Sequence, residues 1–307
     1  MGQGDYLPAV NQEGIELTRR AGAIAARCRE WARTTIAPGV KLRDVLEGIE
    51  DRIRAEGAQP AFPAQTSRNS IAAHYCSSPE DESVYEVGDC VKVDLGVHCD
   101  GYIADTACTV DLSEDGRWGD LIAASAAALE AAIETIKPGL PVGEVGAVVE
   151  KTILGRGFEP VRNLTGHGLA RWRVHTPPQI PSYAERGGGS FQAGMIVAVE
   201  PFACTGRGYI REQGKAEVFM MSGPPARAKG LDKDILQAIQ DWRGLPIARR
   251  YFSEFDPKKL EETITKLARQ GVLHRYPPLV EEPDVMVAQT EHSLYIGPNG
   301  VEILTAA

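Results

Sequence analysis

The stretch VKVDLGVHCDGYIADTACTV, Val91 to Val110, predicts a β-hairpin that carries two carboxylates. Apolar and polar residues alternate in its first half, and the β-branched residues of its second half favour a returning strand. Asp100-Gly101 is a strong signal for a two-residue type I′ turn between the two strands. Such a turn sets Gly96 opposite Asp105, so that Asp105 lies diagonally across from Asp94 on one face of the sheet.

A pair of aspartates at this spacing needs a positive partner, because two neighbouring carboxylates in a strand that looks buried repel each other. The partner can be a lysine, an arginine or a divalent metal ion. The alternative is a pair of solvated acids on an exposed face, which the apolar residues of this hairpin disfavour. The hairpin is therefore a candidate metal site.

Composition narrows the range of functions. The chain has 307 residues, enough for one large domain or two ordinary ones. Its 33 Lys and Arg against 42 Asp and Glu give a net charge of −9, which argues against nonspecific binding to nucleic acid or anionic lipid. No apolar run approaches the roughly 20 residues of a membrane span, and the start MGQGDYLPAV lacks a signal-peptide pattern. We expect a cytoplasmic protein whose six cysteines are reduced.

The chain repeats itself at an offset of 100 residues. IAPGVKLRDVLEGIEDRIRAEGAQP, Ile36 to Pro60, matches IKPGLPVGEVGAVVEKTILGRGFEP, Ile136 to Pro160. The first copy predicts an amphipathic helix over Leu42 to Ala55 that Gly57 ends. A longer helix precedes each copy, at about Glu13 to Thr35 and Leu121 to Ile136.

The repeat continues into the strands that follow. YEVGDCVKVD, which ends at Asp94, resembles FQAGMIVAVE, which ends at Glu200, and a Gly-Tyr-Ile follows each, at Gly101 and Gly208. Two such halves related by a pseudo-twofold axis would bring Asp94 and Glu200 to a common centre where their sheets meet. Chance similarity is the alternative, but several matched elements in the same order weigh against it.

Three histidines lie in settings that suit a site. TGHGLARWRVHTPPQIP places His167 between two glycines, which allow close backbone approach, and His175 follows eight residues later. His74, in SIAAHYCSSP, holds the corresponding place in the first half. His98 and His274 are predicted to be merely hydrogen-bonded.

An oxygen-rich set with one imidazole suits a pair of Mn, Fe, Co or Zn ions bridged by carboxylates. The residues that the pattern offers for it are Asp94, Asp105, His167 and Glu200.

Four motifs resemble those of the methionine aminopeptidases. VDLGVHCDGYIAD is similar to the paired-Asp strand of that family, GHGLARWRVH to its His segment, VAVEPFACTG to its Glu strand and VAQTEHSLYI to its final Glu strand. The resemblance covers nearly the whole chain. It implies the pita-bread fold, an α+β architecture of two pseudo-twofold duplicated halves with a central curved antiparallel sheet covered by helices. The metal ligands that it implies are Asp94, Asp105, His167, Glu200 and Glu291.

The resemblance also implies an activity. It is the removal of the N-terminal methionine of nascent polypeptides when the second residue is small, by water that two divalent metal ions activate. Glu200 is the expected proton acceptor, and His74 and His175 would face the substrate and steady the scissile amide. Phe62 and Tyr276 are candidate walls of an apolar substrate pocket, with ordinary core packing as the alternative. We expect a monomer without membrane or specific nucleic-acid partners, and the sequence leaves docking at the ribosome open.

The chain also resembles one subtype of the family. Between Glu200 and Glu291 lies a span of 91 residues with predicted helices at Asp232 to Trp242 and Asp256 to Gln270. Such an insertion is similar to the type 2 enzymes, and the lack of a long charged N-terminal extension looks archaeal-like. We expect one peptidase domain over residues 1–307, with halves at about 13–115 and 116–215 plus 280–307. Residues 216–279 would form a small helical insertion subdomain.

Internal symmetry and family resemblance disagree on the fifth ligand. Symmetry favours Glu212, because GYIRE matches GYIAD, whereas the resemblance favours Glu291. We expect Glu291, since a polar turn follows Glu212 while Glu291 lies in a run apolar enough for a central strand. A glutamate buried there requires a cation.

Two other functions are compatible with this fold. A proline-specific (Xaa-Pro) peptidase would share most ligands, but such enzymes resemble chains with a sizeable extra N-terminal domain, and only 93 residues precede Asp94 here. A non-catalytic binding relative would have lost its ligands, whereas all five positions are intact.

Overall fold

A computed structural model describes residues 9–224 and 230–306 of the chain. The first eight residues, on which the expectation of a missing signal peptide largely rests, lie outside the described residues. Within the described ranges, no helix combines the length and apolar character needed to cross a membrane. All six cysteines are free, and five of them are buried.

Six α-helices lie in the described residues, close to the ranges that the sequence predicts. They are α1 Gln12–Thr35, α2 Leu42–Ala55, α3 Gly119–Thr135, α4 Val142–Leu154, α5 Lys233–Asp241 and α6 Pro257–Arg269. In α2 the apolar stripe is at most 1% exposed, and Gly57 ends the helix with φ of 71°. This left-handed conformation is one that glycine adopts without strain, so the predicted C-terminal signal is confirmed.

One antiparallel sheet dominates the fold. Its strands are β1 Gln59–Pro60, β2 Gln65–Arg68, β4 Cys90–Cys99, β5 Tyr102–Asp111, β7 Thr165–Ala170, β8 Arg173–Pro181, β9 Ile196–Val199, β17 Glu291–Gly297 and β18 Gly300–Ile303. The order across the sheet is β1-β4-β5-β17-β9-β7-β8, with β2 also paired to β4 and β18 to β17. The sheet curls, and the predicted α+β class with a curved antiparallel sheet covered by helices is confirmed.

Nine short strands form three smaller sheets around it. They are β3 Ile71–Ala73, β6 Glu159–Pro160, β10 Phe202–Cys204, β11 Arg211–Glu212, β12 Val218–Met221, β13 Ile247–Ala248, β14 Leu273–Tyr276, β15 Leu279–Val280 and β16 Val287–Gln289. The orders are β16-β10-β6, β11-β15-β3 and β13-β12-β14.

The hairpin of β4 and β5 has the predicted register. Gly96 pairs with Asp105, and Asp94 pairs with Ala107. Asp100 and Gly101 have φ of 49° and 83°, the two positive values that a type I′ turn requires.

Two hydrophobic cores lie beneath two pairs of helices. Helices α1 and α2 pack with strands β4 and β5 in a core that includes Ile49 and Val93. Helices α3 and α4 pack over the other half, where Val149 and Val197 are buried. Each pair thus covers one half of the sheet, because its apolar stripe can be removed from water only against the sheet.

The second half departs from the repeat. The two halves do not meet as separate sheets, since β17 lies between β5 and β9 in one continuous sheet. The second Gly-Tyr-Ile does not begin a returning hairpin strand. Gly208 lies in a loop, where its backbone N–H donates to Glu281 Oε1 at 2.9 Å. Strand β11, which follows, pairs with β15 in another sheet. The place that β5 holds in the first half is taken in the second by the distant strand β17.

Residues 216–279 contain more than the two predicted helices. Strands β12, β13 and β14 form a small sheet there, and this segment has a hydrophobic cluster of its own. Helix α6 begins as predicted, with the Asp256 side chain accepting from Lys259 N–H at 3.0 Å and Pro257 in the first turn.

A buried ion pair fastens this segment to α2. Arg250, in a 3-10 helix over Arg249–Phe252, pairs with Glu50, and the side chains are 4% and 2% exposed. Glu50 Oε1 also accepts from the Tyr251 hydroxyl at 2.7 Å and from Ala64 N–H at 3.0 Å. The contact therefore joins the inserted segment both to α2 and to the chain that leads into β2.

We expect Arg250→Met to lower the free energy of unfolding by about 3–5 kcal/mol, because it leaves the Glu50 carboxylate buried without its counter-charge. The matched control is Arg27→Met, which removes the pair of Arg27 with Glu56, whose side chains are 58% and 36% exposed. That pair is solvated, so the control should lose at most about 1 kcal/mol. Urea unfolding of both variants measures the difference, and equal losses would contradict the role of the buried pair.

Candidate metal centre

Five neighbouring strands each bring one candidate ligand to the same place. In sheet order these are Asp94 on β4, Asp105 on β5, Glu291 at the start of β17, Glu200 directly after β9, and His167 on β7. Paired residues on adjacent strands share a face, and both Asp94 and Glu291 pair with Ala107 of β5. The small Ala107 side chain leaves the space between the two acids open.

The side chains lie within reach of one another. His167 Nε2 is 3.5 Å from Glu200 Oε1 and 3.8 Å from Asp105 Oδ2. Ligand atoms of Asp105, His167 and Glu291 all lie within 4.8 Å of one another. These three residues are 3%, 5% and 1% exposed, so the cluster is removed from bulk water.

Several buried oxygens in this cluster lack a hydrogen-bond partner. They are Oδ1 of Asp94, Oδ1 of Asp105 and Oε2 of Glu291. A buried carboxylate oxygen without a partner is costly, and buried carboxylates are normally paired or bound to metal. Among the described residues, Arg29 is a buried cation near Glu291. Its guanidinium donates to the Thr106 hydroxyl and the Thr305 carbonyl instead of to the Glu291 carboxylate.

Burial and mutual repulsion dominate the electrostatics of the acids. Burial raises the pKa of Asp94 to about 7, against a hydrogen bond from Gln289. Burial also raises the pKa of Asp105, Glu200 and Glu291 well above their usual values, and the charges of the neighbouring acids raise them further. Burial lowers the pKa of His167 to about 3, which keeps the imidazole neutral and able to bind a metal. Four crowded carboxyls and one neutral imidazole fit divalent metal ions.

Gln289, which the sequence analysis did not assign to the site, belongs to this cluster. Its side chain is 1% exposed, and its Nε2 donates to Glu200 Oε2 at 3.3 Å. The alternation of Val287, Gln289 and Glu291 was the signal that could have identified it. The structure divides this alternating run into two strands, because β16 ends at Gln289 and β17 begins at Glu291 in a different sheet.

A cavity of about 250 Å³ opens onto the cluster. Phe62 and Tyr276, the two candidate pocket walls, both line it, together with Val218 and Pro246. Phe62 is 5% exposed and lies directly against Gly96, where a Cβ atom would be 2.2 Å from its ring. The glycine beside the paired aspartates therefore makes room for an aromatic wall.

The two histidines that the resemblance places near the substrate also line the cavity. His175 is exposed, and its ring centroid lies 4.4 Å from that of His167. The ring of His74 is edge-on to that of Tyr276, with the ring centroids 5.6 Å apart. Burial lowers the pKa of His74 to about 4, so its imidazole is neutral.

The remaining candidates lie elsewhere. Glu212 is exposed on β11 and is absent from the cavity lining. His98 accepts from Gly101 N–H at 3.2 Å and packs against Trp172, and His274 is exposed beside Tyr276. Among the candidate ligands, the structure thus brings together the five that the resemblance implies and leaves out the one that symmetry favoured.

Comparison with known proteins identifies the class of enzyme. The model of metallopeptidase family M24 matches residues 16–228, more than half of the chain. The chain belongs to this family and is a metal-dependent hydrolase.

Two archaeal relatives match nearly end to end. A methionine aminopeptidase of Archaeoglobus fulgidus is 43% identical over 298 residues, which is 96% of this chain and 100% of the relative. A methionine aminopeptidase of Methanocaldococcus jannaschii is 39% identical, over 95% of this chain and 99% of the relative.

Solved structures share the architecture. Methionine aminopeptidase from Thermotoga maritima superimposes with a TM-score of 0.72 at 25% identity, over 98% of this chain and 100% of that chain. A thermophilic Arx1 (TM-score 0.85, 17% identity, 96% and 91% coverage) and the prolidase from Pyrococcus furiosus (0.65, 19%, 97% and 65%) share the fold alone. The predicted pita-bread fold is confirmed.

We expect Glu291→Gln to weaken metal binding at least about tenfold, equivalent to about 1.4 kcal/mol, because it removes a charged ligand from the centre of the cluster. Glu212→Gln, an identical change on an exposed strand, should leave metal binding at the wild-type level. Isothermal titration calorimetry of the metal-free proteins with Mn²⁺ measures the metal affinity of both variants. A loss confined to Glu212→Gln would reverse the choice between the two glutamates.

Proposed function

We propose that this chain is a methionine aminopeptidase that releases the N-terminal methionine of nascent polypeptides when the second residue is small. The observation that carries the proposal is the convergence of four acids and one histidine from five adjacent strands on a cavity with apolar walls. The full-length match to methionine aminopeptidases supports it. The type 2, archaeal-like subtype agrees with the archaeal sources of those relatives.

Asp94, Asp105, His167, Glu200 and Glu291 would hold the metal. We propose two divalent ions, because four carboxylates around one small centre exceed what a single ion needs for charge balance. Mn, Fe, Co and Zn all suit a set of oxygen ligands with one imidazole. When bound, such ions polarise the scissile carbonyl and lower the pKa of a water molecule.

Glu200 is the proposed proton acceptor for the attacking water. A carboxylate beside the attacking water can take up its proton and return it to the leaving amine. Gln289 bonds Oε2 of this carboxylate, and Oε1 faces His167 at 3.5 Å. The two contacts fix the orientation of the carboxylate.

His74 and His175 are the proposed hydrogen-bond partners of the scissile amide. Both line the cavity, and neither is among the five clustered ligand side chains. His175 can donate an N–H to the oxygen that gains charge in the transition state. The one N–H of the neutral His74 imidazole bonds the Pro277 carbonyl, which leaves Nδ1 of His74 free to accept from the N–H of the scissile amide.

The cavity favours a single apolar side chain. Its volume of about 250 Å³ lies below the roughly 300–1,000 Å³ of sites for drug-sized ligands. Its lining includes apolar surface from Phe62, Tyr276, Val218 and Pro246. An unbranched, polarizable methionine side chain adapts well to such a space.

The proposal includes the setting of the enzyme. We infer a cytoplasmic monomer whose substrates are the amino termini of polypeptides, without a membrane or a specific nucleic acid as partner. The net charge of −9 supports the absence of membrane and nucleic-acid partners, because a negatively charged protein is repelled by anionic surfaces.

We expect hydrolysis of Met-Ala-Ser at least about tenfold more efficiently than of Met-Leu-Ser, judged by kcat/KM, since a crowded site penalises a bulky second residue. Protein treated with EDTA should be inactive, and Mn²⁺ or Co²⁺ should restore it. Xaa-Pro dipeptides should be poor substrates. Efficient cleavage of Xaa-Pro without cleavage of Met-Ala-Ser would favour the proline-specific alternative and overturn the proposal.

A further inference from the structure

His74 has an unusual backbone for a residue that points into a substrate cavity. It follows β3 directly, with φ of 67°, in the left-handed region that non-glycine residues seldom adopt. Such a conformation costs on the order of 1–3 kcal/mol and persists only where its surroundings enforce it. Contacts around His74 must therefore hold it there.

One side chain bonds the backbone of His74. Gln65, on β2, is 7% exposed, and its Oε1 accepts from His74 N–H at 2.8 Å. Gln65 itself is fixed in the main sheet, because it pairs with Asp94 of β4. The bond thus links the conformation of His74 to the strand that carries a candidate metal ligand.

The imidazole of His74 is held more lightly. Its contacts are a hydrogen bond to the backbone of Pro277 and the edge-on packing against Tyr276. Its Nδ1 atom is buried and has no hydrogen-bond partner among the residues described. The direction of the ring depends on the backbone conformation, since φ and ψ determine where the Cβ atom points.

The next residue provides a comparison within the same two segments. Tyr75 N–H is bonded by Ser67 Oγ at 3.4 Å, so β2 supplies a side-chain acceptor to each of two consecutive residues. Ser67 does not line the cavity, whereas Gln65 and His74 both do. Removal of the Ser67 hydroxyl loosens the same junction without touching the substrate site.

We propose that Gln65 is the positioning residue of His74: its side-chain carbonyl holds the His74 backbone in the left-handed conformation that directs the imidazole at the scissile amide. This inference rests on the proposed function, because it concerns the contact of His74 with the scissile amide. It assigns to the buried Gln65 a role in kcat rather than in metal binding.

The test is a double-mutant cycle on metal-loaded enzyme with Met-Ala-Ser. Gln65→Met keeps the length of the side chain and removes the acceptor, so kcat should fall about tenfold to hundredfold, the scale of a displaced catalytic group, with little change in KM or metal content. In a His74→Ala background the same substitution should have no further effect, since the two residues act as one unit. Gln65→Glu, which keeps an acceptor oxygen, should recover part of kcat, and Ser67→Ala should retain wild-type kcat.

Equal losses from Gln65→Met in both backgrounds, or none in the wild-type background, would overturn the inference. A second measurement does not depend on activity: a crystal structure of Gln65→Met should show His74 outside the left-handed region. If His74 keeps φ near 67° there, the positioning role is wrong even if activity falls. Wild-type enzyme that fails to cleave Met-Ala-Ser would instead refute the proposed function.

Discussion

The electrostatic cost of bringing four carboxyl groups into one largely buried cluster is the constraint on which the rest of the structure depends. Burial raises the pKa of all four acids, and neighbouring carboxylates raise the pKa of Asp105, Glu200 and Glu291 further. One buried oxygen of each of Asp94, Asp105 and Glu291 has no hydrogen-bond partner. Hydrophobic packing cannot compensate for this, because an uncompensated buried charge costs several kcal/mol. The cluster is stable as a set of anions only when cations bind it, which makes metal binding a property of the fold itself.

The sheet meets this constraint by its strand order. Five adjacent strands each deliver one ligand, and small residues keep the space between them open: Ala107 separates Asp94 from Glu291, and Gly96 admits the ring of Phe62. The pseudo-twofold repeat explains the matching helices and the matching strands that end in Asp94 and Glu200. The second half departs from the repeat after β9, because β17, a strand from the C-terminal part of the chain, lies beside β9 in the centre of the sheet and brings Glu291 to the cluster.

Local signals in the sequence predicted the parts of the site that depend on neighbours in the chain. The Asp100-Gly101 turn was enough to predict the register that faces Gly96 with Asp105, because a type I′ turn leaves one pairing. Long-range pairing was harder. Internal symmetry favoured Glu212, whereas family resemblance and the apolar run around Glu291 favoured Glu291, and no local pattern records that β17 inserts between β5 and β9. Gln289 and Gln65 were missed for the same reason, since an isolated amide has no distinctive spacing and its role depends on which strand lies opposite.

The most direct test of this account is anomalous X-ray diffraction from crystals of the chain grown with Mn²⁺. The account predicts two anomalous peaks in the cavity, both within coordination distance of side chains among Asp94, Asp105, His167, Glu200 and Glu291. Crystals without an anomalous peak at this cluster, or with peaks bound by other residues, would contradict the claim that the four clustered acids hold divalent metal.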